Sequence, residues 1–92
     1  MSIIRIHVTI AGTVQGVGYR YFVRELATSR DLSGWICNMV DGSVKIEAQG
    51  EAAVMEEFFS HAGQGPLGAY VKKAQRKGIP PLEGELGFEV LY

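Results

Sequence analysis

Ile4, Ile6, Val8 and Ile10 alternate with Arg5, His7 and Thr9, and this period of two predicts a half-buried strand. From Tyr19 the period changes. Tyr19, Phe22, Val23, Leu26 and Ala27 fall at i, i+3, i+4, i+7 and i+8, one face of a helix that fades over residues 28–32. Trp35, Cys37 and Met39 then alternate with Ile36, Asn38 and Val40, a second strand. Taking the first set as the inward one makes Cys37 a buried, space-filling residue. Asp41-Gly42 is a hairpin signal, and Val44, Ile46 and Ala48 continue as a third strand. After Gln49-Gly50, the stripe Ala52, Met55, Phe58, Phe59 and Ala62 predicts a second helix with an apolar core face, stopped by Gly63, Gly65 and Pro66. A polar fourth strand is expected over about residues 69–75, then a break at Pro80-Pro81 and a short final strand over residues 86–92.

Strand, helix, strand, strand, helix, strand is the split βαβ order of an α+β, ferredoxin-like sandwich. The expected architecture is an antiparallel sheet with two helices on one face and the other face open, plus the short C-terminal strand. The 92 residues make a single domain over 1–92, near the small end of chains that bury an adequate core. A hydrophobic content of 47% with 21% charged residues describes a globular protein, and a net charge of −1 argues against a general nucleic-acid binder. A single cysteine forms no internal disulfide, the start Met1-Ser2-Ile3-Ile4-Arg5 has no signal-peptide core, and no run approaches a membrane span. The expectation is a soluble, cytoplasmic monomer. Lys72, Lys73, Arg76 and Lys77 read as the charged guard of an edge strand.

Between the first strand and the first helix lies Gly12-Thr13-Val14-Gln15-Gly16-Val17-Gly18-Tyr19-Arg20. Glycines let the backbone adopt positive φ and turn N–H groups inward, and the following helix adds the positive end of its dipole. Such a concavity suits a tetrahedral anion. Arg20 stands at the helix end where the dipole disfavours a cation, which makes sense when an anion lies between them. The loop is neither a G-x-x-x-x-G-K-[ST] phosphate loop nor a G-x-G-x-x-G fingerprint. Arg20 ends a run with the spacing of the C-x5-R loop of cysteine-dependent phosphatases, but Val14 holds the nucleophile's place. No side chain in the loop is available to attack a bound phosphoryl group.

Residues 12–20 resemble the G-x-V-Q-G-V-x-[FY]-R signature of acylphosphatases. Gly34-Trp35-Ile36-Cys37-Asn38 with Asp41-Gly42-Ser43-Val44 is similar to that family's second signature, G-W-[VI]-x-N-x-x-D-G-x-V. The two blocks match in order and spacing; the later half matches only in outline, and Phe88-Glu89-Val90-Leu91-Tyr92 lacks the usual late arginine. The resemblance implies hydrolysis of an acyl phosphate. The backbone N–H groups of Gln15, Gly16, Val17, Gly18, Tyr19 and Arg20, with the Arg20 guanidinium, would bind the phosphoryl oxygens, and Asn38 would orient the attacking water. It implies no cofactor, a small acyl phosphate as substrate, inorganic phosphate or sulfate as occupants of the cradle, and no nucleic-acid or membrane partner.

His7 and His61 have no second His, Cys or carboxylate at ligand spacing, so no metal site is expected, although Asp41 is near enough to keep that question open. Two rivals remain. One is a non-catalytic acyl- or carbamoyl-phosphate-binding module. The other is a single-stranded RNA binder, which needs aromatic residues on the open sheet face, where Arg5, His7, Lys45 and Glu47 are expected instead.

Overall fold

The structure, a computed structural model, describes residues 2–92. Seven elements follow the expected order: β1 (Ile3–Thr13), α1 (Tyr19–Thr28), β2 (Ser33–Asn38), β3 (Val44–Glu51), α2 (Ala52–Gln64), β4 (Tyr70–Ile79) and β5 (Phe88–Leu91). One sheet carries all five strands in the order β4-β1-β3-β2-β5. Pairing is antiparallel from β4 through β2, as the alternation predicts, but β5 joins β2 in parallel. The reason is topological. β4 and β5 occupy opposite edges, so residues 80–87 cross the sheet at the end where β2 begins, and β5 then runs alongside β2 in the same direction.

Val8, Ile10, Ile36, Val44, Ile46 and Ala48 point from the sheet to the helices. Tyr19, Val23 and Ala27 of α1 and Met55, Phe58, Phe59 and Ala62 of α2 complete the core, with Phe88 from β5. Each fully buried aliphatic or aromatic side chain stabilises the fold by about 1.5–3 kcal/mol. β4 is longer than its polar sequence suggests because it tracks β1 from Arg5↔Ile79 to Thr13↔Tyr70, with a register shift at Ala11/Gly12. Lys72, Lys73, Arg76 and Lys77 are exposed along this edge strand, as expected of a charged guard.

The inward set of β2 needs correction. Ile36 pairs with Ile46 and is fully buried, while Trp35 pairs with Glu47 and Cys37 with Lys45. Trp35 and Cys37 are therefore half-buried residues of the open face. Trp35 meets His7 edge-on with ring centroids 6.1 Å apart, so the open face does carry an aromatic residue beside Arg5, His7, Lys45 and Glu47. The same parity places Asn38 on the face of Ile36, toward the helices.

The crossover 80–87 is strapped to this open face. Arg5 donates Nε–H to Glu47 Oε1 at 3.0 Å and Nη1–H to Glu85 Oε1 at 2.7 Å and to Gln49 Oε1 at 3.2 Å. Gln49 Nε2 donates to the Leu82 carbonyl at 2.9 Å, and Leu82 N–H donates back to Gln49 Oε1 at 2.8 Å. Glu47 Oε2 also meets His7 Nδ1 at 2.9 Å. Burial pushes the Glu47 carboxyl up, but hydrogen bonds from His7 and Arg5 outweigh it and leave the group below its ordinary range.

Candidate active site

Beyond Thr13 the chain turns over Val14, whose buried isopropyl anchors the turn to the core. Gln15 holds the turn from the side. Its Nε2 donates to the carbonyls of Met39 at 2.8 Å and Ser43 at 2.9 Å, which ties the turn to the β2–β3 hairpin that follows Asn38. That hairpin is closed by Met39 N–H donating to Ser43 O at 2.8 Å. Asp41 Oδ1 accepts from the Ser43 hydroxyl at 2.6 Å and the Ser43 N–H at 2.9 Å, and these two bonds hold the Asp41 carboxyl below its usual range. Asp41 therefore serves the turn, and the described residues contain no cluster of three His, Cys, Asp or Glu arranged to hold a metal ion.

Gly16 and Gly18 have φ of 75° and 78°, a left-handed conformation that β-carbons disfavour. A β-carbon at either would meet nothing within 4 Å, so the backbone here borders open space. Gly18 is the N-cap of α1, no side chain caps it, and the first turn has no acidic residue. The first bond of the helix is Phe22 N–H to Gly18 O at 3.1 Å. Among the described residues, no backbone N–H from Gln15 to Tyr21 donates to a backbone carbonyl outside the helix's own ladder. The first-turn N–H groups of any helix need an outside partner, and here the described residues supply none.

Tyr19 fixes the helix start: its buried hydroxyl donates to Ala62 O of α2 at 2.8 Å, and burial pushes its phenol well up. Arg20 has its guanidinium carbon 5.0 Å from the centre of the Tyr92 ring, and the Tyr92 and Tyr21 hydroxyls lie 3.0 Å apart. The parallel pairing of β5 brings Tyr92 to this end of the sheet, a contribution the sequence reading missed.

Gly16, Gly18, Arg20, Tyr21 and Asn38 border one cavity of about 90 Å³, with Val14 and Tyr19 in its wall. Asn38 Oδ1 is buried and has no hydrogen-bond partner among the described residues. Of the expected phosphate-binding set, Gly16, Gly18, Tyr19 and Arg20 border the cavity; the side-chain amide of Gln15 bonds the hairpin and the Val17 side chain packs against the core. His7 is engaged with Glu47 on the open face, away from the cavity. Two larger hollows, of about 450 Å³ beside Ile3 and Pro81 and about 580 Å³ beside Asp31 and Leu86, lie at the far end of the sheet. Size alone would choose either of them, but neither has the convergent donors of the small cavity.

The family model for acylphosphatase matches residues 6–90. The chain belongs to the acylphosphatase family. It is 38% identical over 90 residues to the acylphosphatase of Geobacillus thermodenitrificans, covering 96% of this chain and 94% of that one. It is similar in fold to the crystal structure of acylphosphatase from Bacillus subtilis, with a TM-score of 0.93 and 34% identity over 97% of this chain and 99% of that one. A likeness of TM-score 0.89 and 26% identity extends to full-length HypF in its phosphate- and nucleotide-bound form, covering 99% of this chain and 12% of that much longer one. The acylphosphatase fold thus occurs both in chains of this size and as a small part of a larger one.

Proposed function

We propose that this chain hydrolyses the carboxyl–phosphate bond of acyl phosphates, with Arg20 and the backbone N–H groups of residues 15–20 binding the phosphoryl oxygens and Asn38 positioning the water. The observation that carries this reading is that Asn38, whose Oδ1 is buried and has no partner among the described residues, borders the same cavity as Arg20 and an uncapped helix start. An amide carbonyl left so would cost about 1–3 kcal/mol, a cost that a water accepted into the site removes.

The reaction needs little else. The leaving group is a carboxylate, the base of an acid of pKa about 4, and departs without protonation. Phosphoryl transfer passes through a loose transition state, so catalysis is mostly positioning and stabilisation of charge on the equatorial oxygens. The water oxygen bonds to phosphorus as the bond from phosphorus to the acyl oxygen breaks. One water proton passes to a phosphoryl oxygen, leaving inorganic phosphate and the carboxylate. The protein acts as a single-domain monomer, and inorganic phosphate or sulfate occupies the cradle in the absence of substrate.

Purified protein is expected to hydrolyse benzoyl phosphate in excess EDTA and to leave p-nitrophenyl phosphate nearly untouched, because the phenolate is a far more basic leaving group and no acid is placed to protonate it. Equal turnover of the two substrates, or loss of activity on chelation, would contradict the mechanism. A second reading is a binding module that grips acyl or carbamoyl phosphate without cleaving it; the likeness to part of HypF, described in a phosphate- and nucleotide-bound form, keeps it in view. The same assay separates them: that module shows phosphate binding without turnover.

A further inference from the structure

A cavity of about 90 Å³ has room for a phosphoryl group, so whatever is attached to that group extends from its mouth. The bordering residues differ sharply in what they offer there. Val14 and Tyr19 are 1% exposed, Gly16 and Gly18 have no side chain, and Arg20 and Asn38 are polar. Tyr21 is the remaining one, an aromatic ring that borders the cavity and is 47% exposed. An exposed ring is ordinarily free to change rotamer, but this one is held on two sides. Its hydroxyl lies 3.0 Å from that of Tyr92, and the Arg24 guanidinium carbon sits 5.0 Å from its ring centre. Arg24 lies against one face of the ring, which is still half exposed, and Tyr92, 88% exposed, stands beside it through the paired hydroxyls.

We propose that Tyr21 is a specificity-determining residue: its ring is the seat of the acyl group, and it selects acyl phosphates whose acyl group is aromatic or flat and apolar over short aliphatic ones. This rests on the acyl-phosphate reading above for the identity of the ligand. A pre-oriented ring loses little freedom on binding, and an aromatic partner gains stacking beyond its buried area, whereas an acetyl group offers no ring to stack and little apolar area.

The test uses binding, so that it stands apart from turnover. Dissociation constants of benzoylphosphonate, acetylphosphonate and inorganic phosphate are measured by calorimetry on the wild type, Tyr21→Ala and Tyr21→Leu. The wild type is expected to prefer benzoylphosphonate to acetylphosphonate by about tenfold, Tyr21→Ala to reduce that preference to below about twofold, and Tyr21→Leu to leave it near threefold. Should Tyr21→Ala fail to fold, Tyr21→Leu keeps bulk at the site and carries the comparison. An unchanged preference in both variants overturns the proposal, and so does a loss of inorganic phosphate binding as large as the loss of benzoylphosphonate binding, which would place Tyr21 in the support of the cradle. Turnover of benzoyl and acetyl phosphate by the wild type is then read separately: its absence refutes the hydrolytic reading while the phosphonate preference still decides the role of Tyr21.

Discussion

Arg5, near the start of β1, is 1% exposed and donates four hydrogen bonds to Glu47, Gln49 and Glu85. Arg20, beyond the other end of the same strand, makes no hydrogen bond or ion pair among the described residues and rests under a tyrosine ring. Around Arg5 every neighbouring polar group is answered from within the chain: Gln49 by Leu82, Glu47 by His7, Glu85 by the arginine itself. Around Arg20 the helix start is uncapped by any side chain and Asn38 Oδ1 is without a partner among the described residues. On the proposed reading, the difference separates a structural charge from a functional one. A charge that the fold has neutralised holds strands together, and a charge left open beside unmet donors awaits a ligand.

The contrast breaks most readily at Arg20. Arg20→Ala is expected to lower kcat/KM for benzoyl phosphate by about 10³-fold, roughly 4 kcal/mol of transition-state stabilisation, with the fold intact by circular dichroism. Lysine at this position is expected to rescue poorly, since a point charge does not replace a fork. Arg5→Ala is expected to do the reverse. Breaking its ion pairs leaves Glu47 and Glu85 uncompensated and costs about 3 kcal/mol of stability in urea unfolding, while the folded fraction keeps its turnover. If Arg5→Ala abolished turnover in folded protein, the division between the two ends would be wrong.

Smaller effects sharpen the same division. Asn38→Ala is expected to lower kcat by about 10²-fold with much less effect on inhibition by phosphate, because the water that the proposal assigns to it is not a contact to the anion. Phosphate at ten times its Kd is expected to stabilise the fold by about 1.4 kcal/mol, a rise in Tm of roughly 5–10 °C that Arg20→Ala removes and Arg5→Met retains. The smallest effect is in acid. Because the Glu47 carboxyl is held below its ordinary range when folded, the unfolded chain binds a proton first as pH falls. Its contribution is complete above about pH 5 and is lost as the pH falls through 4 and below, so Glu47→Gln is expected to flatten that part of the stability profile.

The fold was legible wherever one face of an element is apolar and the other is not, as in β1 and both helices. The alternation of β2 points to the wrong face because both of its faces are apolar: Trp35 and Cys37 compete with Ile36. The hairpin register decides it, since Val44, Ile46 and Ala48 face the helices and Ile36 lies opposite Ile46. Of the candidate site, Gly16, Gly18, Tyr19, Arg20 and Asn38 lie in two blocks that the sequence alone singles out, and all five border one cavity. The part played by Gln15's side chain was not legible, because a contact between residue 15 and the carbonyls of residues 39 and 43 exists only once the hairpin is folded beside the turn. Tyr92 was hidden for the same reason: its place depends on which edge β5 joins and in which direction.

The strap over the open face bears on how this chain reaches its structure. The bond from Arg5 to Glu85 joins positions 80 residues apart, and its loop contains nearly every other element. Closing so long a loop has a large entropic cost unless intervening strands have already paired, so the strap is expected to lock only after the rate-limiting barrier is crossed. Contacts made after the barrier govern how slowly a protein comes apart. In stopped-flow experiments Glu85→Gln is accordingly expected to hasten unfolding while leaving the refolding arm nearly unchanged, making the crossover a latch on the lifetime of the native state.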